Sequence, residues 1–119
     1  MSTNQITELN EQLDQLILEG KLLEAFDKYY ADDIVMQEGS SGPREGKQAN
    51  RKHEEQFVAS IAAFHGAELH SSAVRGDKSY SEWTFDFTPR GGDRMKMTQV
   101  AARTWKDGKV SFERFYAAQ

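Results

Sequence analysis

The amino-acid sequence predicts an α+β fold, with helices from its N-terminal half packed on a curved antiparallel sheet from its C-terminal half. Two observations carry the prediction. Up to about residue 64, apolar residues recur at the spacing of one helix face, and after Gly66 the period changes to two. Three turn signals, Gly76-Asp77, Gly91-Gly92-Asp93 and Asp107-Gly108, then divide the remainder into four strands joined by short antiparallel connections. Helices followed by consecutive strands, rather than strands alternating with helices, is the α+β order.

Ile6, Leu9, Leu13, Leu16 and Ile17 carry the first helix, with Ser2, Thr3 or Asn4 to cap it and Glu8, Glu11, Gln12, Asp14 and Gln15 on the other face. Gly20 stops it, and Leu22, Leu23, Phe26, Tyr29 and Tyr30 carry a second helix to about Ala31. Asp32-Asp33 breaks that pattern, and Ile34-Val35-Met36 reads as a short buried strand running into Gln37 and Glu38. Gly39 to Gly46, with Pro43 and two serines, is a loop. A third helix is expected from about Lys47 to Phe64, with Ala49, Phe57, Val58, Ile61 and Phe64 as its apolar stripe and Gly66 as its stop. In the sheet, Ser81, Trp83, Phe85 and Phe87 share one strand face, and Met95, Met97, Gln99, Ala101, Arg103 and Trp105 share a face of the next. The last strand, Lys109 to Tyr116, sets Val110, Phe112, Arg114 and Tyr116 against Ser111, Glu113 and Phe115.

At 119 residues the chain has room for one domain, spanning 1–119. Fifteen Lys and Arg against nineteen Asp and Glu give a net charge of -4, spread in mixed sign, so nucleic acid and membrane are not expected partners. Arg90-Gly91-Gly92-Asp93-Arg94 reads as a hairpin turn rather than an RNA-binding tract, because it is a single copy between two strand-like runs. Without cysteine there is no disulfide, thiolate nucleophile or zinc-thiolate site. No signal-like start and no run of transmembrane length is present, which leads to an expected cytoplasmic location. No histidine pair has metal-ligand spacing, and no metal or cofactor is expected.

Three strings in order resemble the SnoaL-like branch of the nuclear transport factor 2 superfamily, which includes ketosteroid isomerase-like and polyketide cyclase-like proteins. They are Tyr30-Ala31-Asp32-Asp33 before a hydrophobic strand ending in an acid, Gly46 opening the third helix, and Trp105-Lys106-Asp107-Gly108-Lys109-Val110 leading into Phe112-Glu113-Arg114-Phe115-Tyr116. The resemblance covers nearly the whole chain. It implies a cone-shaped cystatin-like roll, three helices on a curved sheet, a homodimer formed through the outer sheet face, and a pocket at the open end of the cone.

Glu38 stands where the resemblance places the ketosteroid isomerase base, and a carboxylate at the rim of an apolar pocket should have a raised pKa. The two oxyanion donors of that enzyme are missing: Leu13 and Ala101 occupy their positions, so steroid isomerisation is not expected. Arg103 and Gln99 interrupt an apolar strand face and should point inward. An inward arginine needs a carboxylate or a ligand anion, and Glu113 and Glu54 are the internal partners on offer. The candidate catalytic residues are therefore Glu38, Arg103 and Glu113. Tyr30, Met36, Glu54, Phe57, His70, Trp83, Gln99 and Tyr116 are the candidate pocket-lining residues, with Phe26 and Met97 also facing the interior. Their bulk favours a flat or cyclic apolar ligand. His53 is expected on a solvated helix face and His65 at the third helix's C-terminal end.

Two functions fit these residues. One is a cofactor-independent isomerase, cyclase or hydrolase that acts on a small apolar substrate by acid-base chemistry. The other is a non-catalytic dimeric module that binds a ligand or a protein, with its inward polar groups already paired to one another.

Overall fold

The computed structural model describes residues 1–118, and the chain runs α1 (Thr3–Leu18), α2 (Leu22–Tyr29), β1 (Tyr30–Glu38), β2 (Arg44–Glu45), α3 (Lys47–Ala59), β3 (Ile61–Arg75), β4 (Lys78–Pro89), β5 (Met95–Lys106) and β6 (Lys109–Ala117). Ser2 is the residue that caps α1: its Oγ accepts from the Gln5 N–H at 3.1 Å, and the Gln5 side chain accepts from the Ser2 N–H at 2.8 Å. The buried stripe of α1 is Ile6, Asn10, Leu13, Asp14 and Ile17, so Asp14 lies on the core face and not on the solvent face expected for it. Gly20, at φ +78°, turns the chain into α2 in a conformation a side chain would strain.

The six strands form one sheet in the order β2-β1-β6-β5-β4-β3. β3 to β6 are antiparallel neighbours, but β1 lies parallel to β6, so the sheet is mixed and not purely antiparallel. The crossover between them contains all the intervening chain, which is why turn signals alone did not reveal it. β1 also starts at Tyr30, ending the second helix earlier than its apolar spacing suggested, because Tyr30 already pairs with Val110.

α3 stops at Ala59, five residues short of the expected Phe64. Arg90 in the β4–β5 turn holds that end, its Nε donating to the Ala59 carbonyl at 2.7 Å and its N–H to the Ser60 carbonyl at 2.8 Å. The next residues pair with Phe87–Pro89, which makes 61–65 a strand whose apolar residues imitate a helix stripe. Gly66, at φ +148°, sits at an irregularity in β3 and stops no helix. His65 is accordingly a strand residue, bonded to Thr88.

At its start, α3 is latched by Asn50, which is fully buried. Its Nδ2 donates to the carbonyls of Gly46 and Arg44 at 2.8 and 2.9 Å, and its Oδ1 accepts from Arg44 Nε at 2.8 Å. One amide thus joins α3, β2 and the loop between them. Asn50→Ala leaves those groups without partners, and we expect a loss of about 1–3 kcal/mol in urea unfolding.

The core lies between the helices and the concave sheet face, where Ile6, Leu13, Phe26, Ile34, Trp83 and Trp105 are buried. No helix among the described residues is long and apolar enough to cross a membrane. Inward positions alternate along β4 and β5 as the period-two pattern predicts. In β6 the alternation breaks: Trp105 pairs with Val110 and Thr104 with Phe112, leaving Ser111 as an extra residue. The bulge puts Val110, Glu113 and Phe115 on the concave face and turns Phe112, Arg114 and Tyr116 outward.

Candidate active site

Between the helices and the concave face is a cavity of about 520 Å³, within the usual range of small-molecule sites. β1 contributes Tyr30, Met36 and Glu38 to its wall, α3 contributes His53, Glu54 and Phe57, and β4 contributes Trp83. β5 adds Gln99 and Arg103, and β6 adds Glu113. Nine of the eleven candidate catalytic and pocket-lining residues thus meet in one cavity. His70 and Tyr116 do not. His70 sits on the outer face, bonded to Thr84 at 2.7 Å, and Tyr116 is turned outward by the β6 bulge and is 49% exposed.

The cavity floor is a closed polar network. Arg103, 1% exposed, donates from Nε to Glu113 at 2.8 Å and from Nη1 to both Asp14 and Asn10 at 2.7 Å. Ser81 donates to Asp14 at 2.7 Å, Ser79 to Asn10 Oδ1 at 2.8 Å, and the Trp105 indole to Ser79 at 2.9 Å. The Tyr30 hydroxyl donates to the other oxygen of Glu113 at 2.5 Å. No fully buried side-chain nitrogen or oxygen among the described residues lacks a partner. Burial by itself would lower the pKa of Arg103, but the Glu113 and Asp14 carboxylates more than offset it and the guanidinium is held charged. Burial, reinforced by Glu113, pushes the Tyr30 phenol well above its ordinary range, so it remains a neutral donor. All bonds of Arg103 to described residues come from Nε and Nη1, which leaves Nη2 as the guanidinium nitrogen available on the cavity side.

Above the floor, Glu54 has no hydrogen-bond or ion-pair partner among the described residues. Desolvation in the cavity wall, with the Glu113 charge adding to it, raises its pKa from 4.5 to about 7. Glu38 behaves in the opposite way to its expectation. Arg44 reaches it with two nitrogens at 2.9 and 3.2 Å and lowers its pKa, and its side chain is 46% exposed. His53, placed from sequence on a solvated face, instead lies at the cavity rim with Nε2 3.6 Å from Glu38. The group with a pKa suited to proton transfer near neutrality is Glu54, one of the lining candidates, and not Glu38.

Gln99, also without a side-chain partner among the described residues, is four residues along β5 from Arg103. At about 3.4 Å per residue that is about 14 Å of strand, so the two do not grip one ligand atom. Sequence reasoning missed Asn10, Asp14, Ser79 and Ser81 as parts of the floor. A signal existed in the spacing 6-10-13-14-17, which is a helical stripe that includes two polar residues.

The SnoaL-like domain family matches residues 1–117. The chain belongs to this family. Among solved structures, this SnoaL-like protein is similar to a candidate SnoaL-like polyketide cyclase from Mesorhizobium loti, also described as a carbohydrate phosphatase, at 32% identity over 98% of this chain and 99% of that one, with a TM-score of 0.85. A cystatin-like protein of unknown function from Xanthomonas campestris shares the fold at 15% identity, 96% and 91% coverage and TM-score 0.82. So does a ketosteroid isomerase-like protein from Catenulispora acidiphila, solved with trimethylamine, at 12% identity, 85% and 78% coverage and TM-score 0.71. No curated protein matches the sequence.

Proposed function

We propose that this SnoaL-like protein performs cofactor-independent acid-base chemistry on a small apolar or cyclic substrate, with Glu54 as the proton-transfer group. The observation that supports this most directly is an unpartnered carboxyl in the wall of an aromatic cavity, with a pKa of about 7. At that pKa both protonation states are populated near neutrality, which general acid-base catalysis requires. Arg103 Nη2 is the donor for a substrate carbonyl oxygen, and Glu54 takes the proton from the adjacent carbon and returns it to another position. Glu113 holds Arg103 and Tyr30 in place and moves no proton. Glu38, paired to Arg44, frames the rim. Missing donors at Leu13 and Ala101 separate this site from a steroid isomerase. We retain the homodimer within the proposal, because Tyr80 and Tyr116 leave aromatic surface exposed on the outer sheet face.

The closed floor favours a second reading, a ligand-binding module whose inward groups are paired for stability. Hydrogen exchange separates the two. In deuterated buffer at pH 7, a small cyclic ketone such as 2-tetralone should exchange its α-hydrogens faster with the protein than without it. Glu54→Gln should remove about 10²-fold or more of that enhancement. Ketone binding with no enhancement, unaltered by Glu54→Gln, favours the binding module.

A further inference from the structure

The charges around the cavity are unbalanced. Taken element by element, the ionisable groups facing Glu54 are Glu38 from β1, Arg44 from β2, His53 from α3 itself, Arg103 from β5 and Glu113 from β6, with the neutral Tyr30 phenol beside Glu113. Arg44 is committed to Glu38 through two hydrogen bonds, and the pair is neutral as a unit. Arg103 is outnumbered, holding Glu113 on one side and Asp14 of α1 on the other, both at N to O distances below 3 Å. One arginine thus serves two acids in the floor before Glu54 is counted. Among the described residues, no lysine or arginine of the cavity wall is left to pair with Glu54.

The remaining wall is mostly apolar, with aromatic rings set among aliphatic side chains. Phe26 stacks on Tyr30 with ring centroids 4.8 Å apart, Trp83 stacks on Phe85 at 5.3 Å, and Phe57 meets Phe87 edge to face at 5.9 Å. Ring faces attract a cation, and more strongly where water is excluded. A neutral ligand in this cavity leaves Glu54 largely protonated or pays for an unpaired carboxylate. A ligand with its own positive charge supplies the missing counter-ion and meets aromatic surface on its apolar parts.

We propose that the cavity selects ligands in which a protonated aliphatic amine is set on an apolar body, with the ammonium paired to Glu54 among the aromatic rings. The inference rests on Glu54 being the ionising group of the cavity, as in the reading above. It adds the class of ligand, and follows from this cavity alone, since 12% identity to the Catenulispora protein carries only the fold. Pairing with the ammonium draws Glu54 into its carboxylate form. Because its pKa in the empty cavity is about 7, amine binding below that pH must expel a proton from Glu54, and affinity should rise as pH increases from 6 to 8.

Titration calorimetry on the full chain tests this with N,N-dimethylbenzylamine, its uncharged isostere isobutylbenzene, and phenylacetate. At pH 8 the amine should bind about tenfold or more tighter than isobutylbenzene, and phenylacetate more weakly than either. At pH 6 amine binding should release protons, seen as a dependence of the heat on the buffer's ionisation enthalpy. Glu54→Gln, checked for folding by its thermal transition, should reduce the amine preference to about twofold or less. Equal or tighter binding of isobutylbenzene at every pH overturns the proposal, and so does an amine preference that survives Glu54→Gln. The ketone exchange assay uses no amine, so exchange without amine selectivity removes only this inference. Selectivity without exchange removes only the catalytic reading.

Discussion

Arg103→Met is expected to lower the unfolding free energy at pH 7 by about 3–5 kcal/mol, the penalty for leaving buried charges without their partner. The side chain is 1% exposed and is the only cation touching Glu113 and Asp14 among the described residues. Removing it strands both acids and takes a partner from Asn10 and Ser81. Urea unfolding followed by circular dichroism measures the loss. The same network makes a second expectation: replacing all three charges together, with Arg103→Met, Asp14→Leu and Glu113→Met, should recover most of the stability, because a buried ion cluster exchanged for apolar residues is often close to neutral. A loss below about 1 kcal/mol for Arg103→Met alone would mean the floor is not the closed network described.

Glu54→Gln should stabilise the protein above neutral pH by about 1–3 kcal/mol, while leaving it unchanged at pH 4. The sign follows from the direction of the shift. The Glu54 pKa is about 7 in the fold against 4.5 for an ordinary glutamate, so between those values the folded state binds more protons than the unfolded chain. Stability attributable to this residue is therefore present below pH 4.5 and is lost as pH rises through about 7. Asp27 and Asp86 act in the other direction, since Arg51 and Arg94 lower their pKa values and their contribution is lost as pH falls. Those exposed pairs are shared by both proteins and cancel in the comparison. Thermal unfolding at pH 4, 6 and 8 should show the two midpoints diverging as pH rises, with the glutamine variant higher.

Both expectations rest on features that the sequence revealed unequally. The change of period at residue 66 and the three turn dipeptides made the α+β order and the β4 and β5 faces readable, because a half-buried strand must alternate. Arg103 and Gln99 stood out as polar interruptions of an apolar face for the same reason. The end of α3 was hidden because Ile61 and Phe64 continue its helical spacing, and the contact that ends it comes from Arg90, about thirty residues away in sequence. Tyr116 was misplaced by a single extra residue, Ser111, since a bulge reverses every later side chain and leaves no mark in composition. His70 failed for want of any marker of which strand face turned inward.

Within the site, the choice between Glu38 and Glu54 could not be made from spacing. Glu38 ends a strand at the rim, where its position suits a base, but Arg44, six residues later, holds it. Glu54 sits between the polar neighbours His53 and Glu55 on a helix that is mostly polar, and only the placement of α3 over the cavity separates it from Glu55. What desolvates Glu54 is tertiary. A local reading of the sequence assigns such a glutamate to solvent.

The titration of Glu54 itself tests the account most directly. Carbon-13 labelling of glutamate side-chain carboxyls, with Glu54→Gln to identify the signal, reports its protonation by nuclear magnetic resonance from pH 3 to 9. The site predicts a midpoint of about 7 for Glu54 and one below the ordinary glutamate value for Glu38. A Glu54 midpoint near 4.5, in line with an exposed glutamate, would contradict both the proton-transfer role and the ligand class proposed for the cavity.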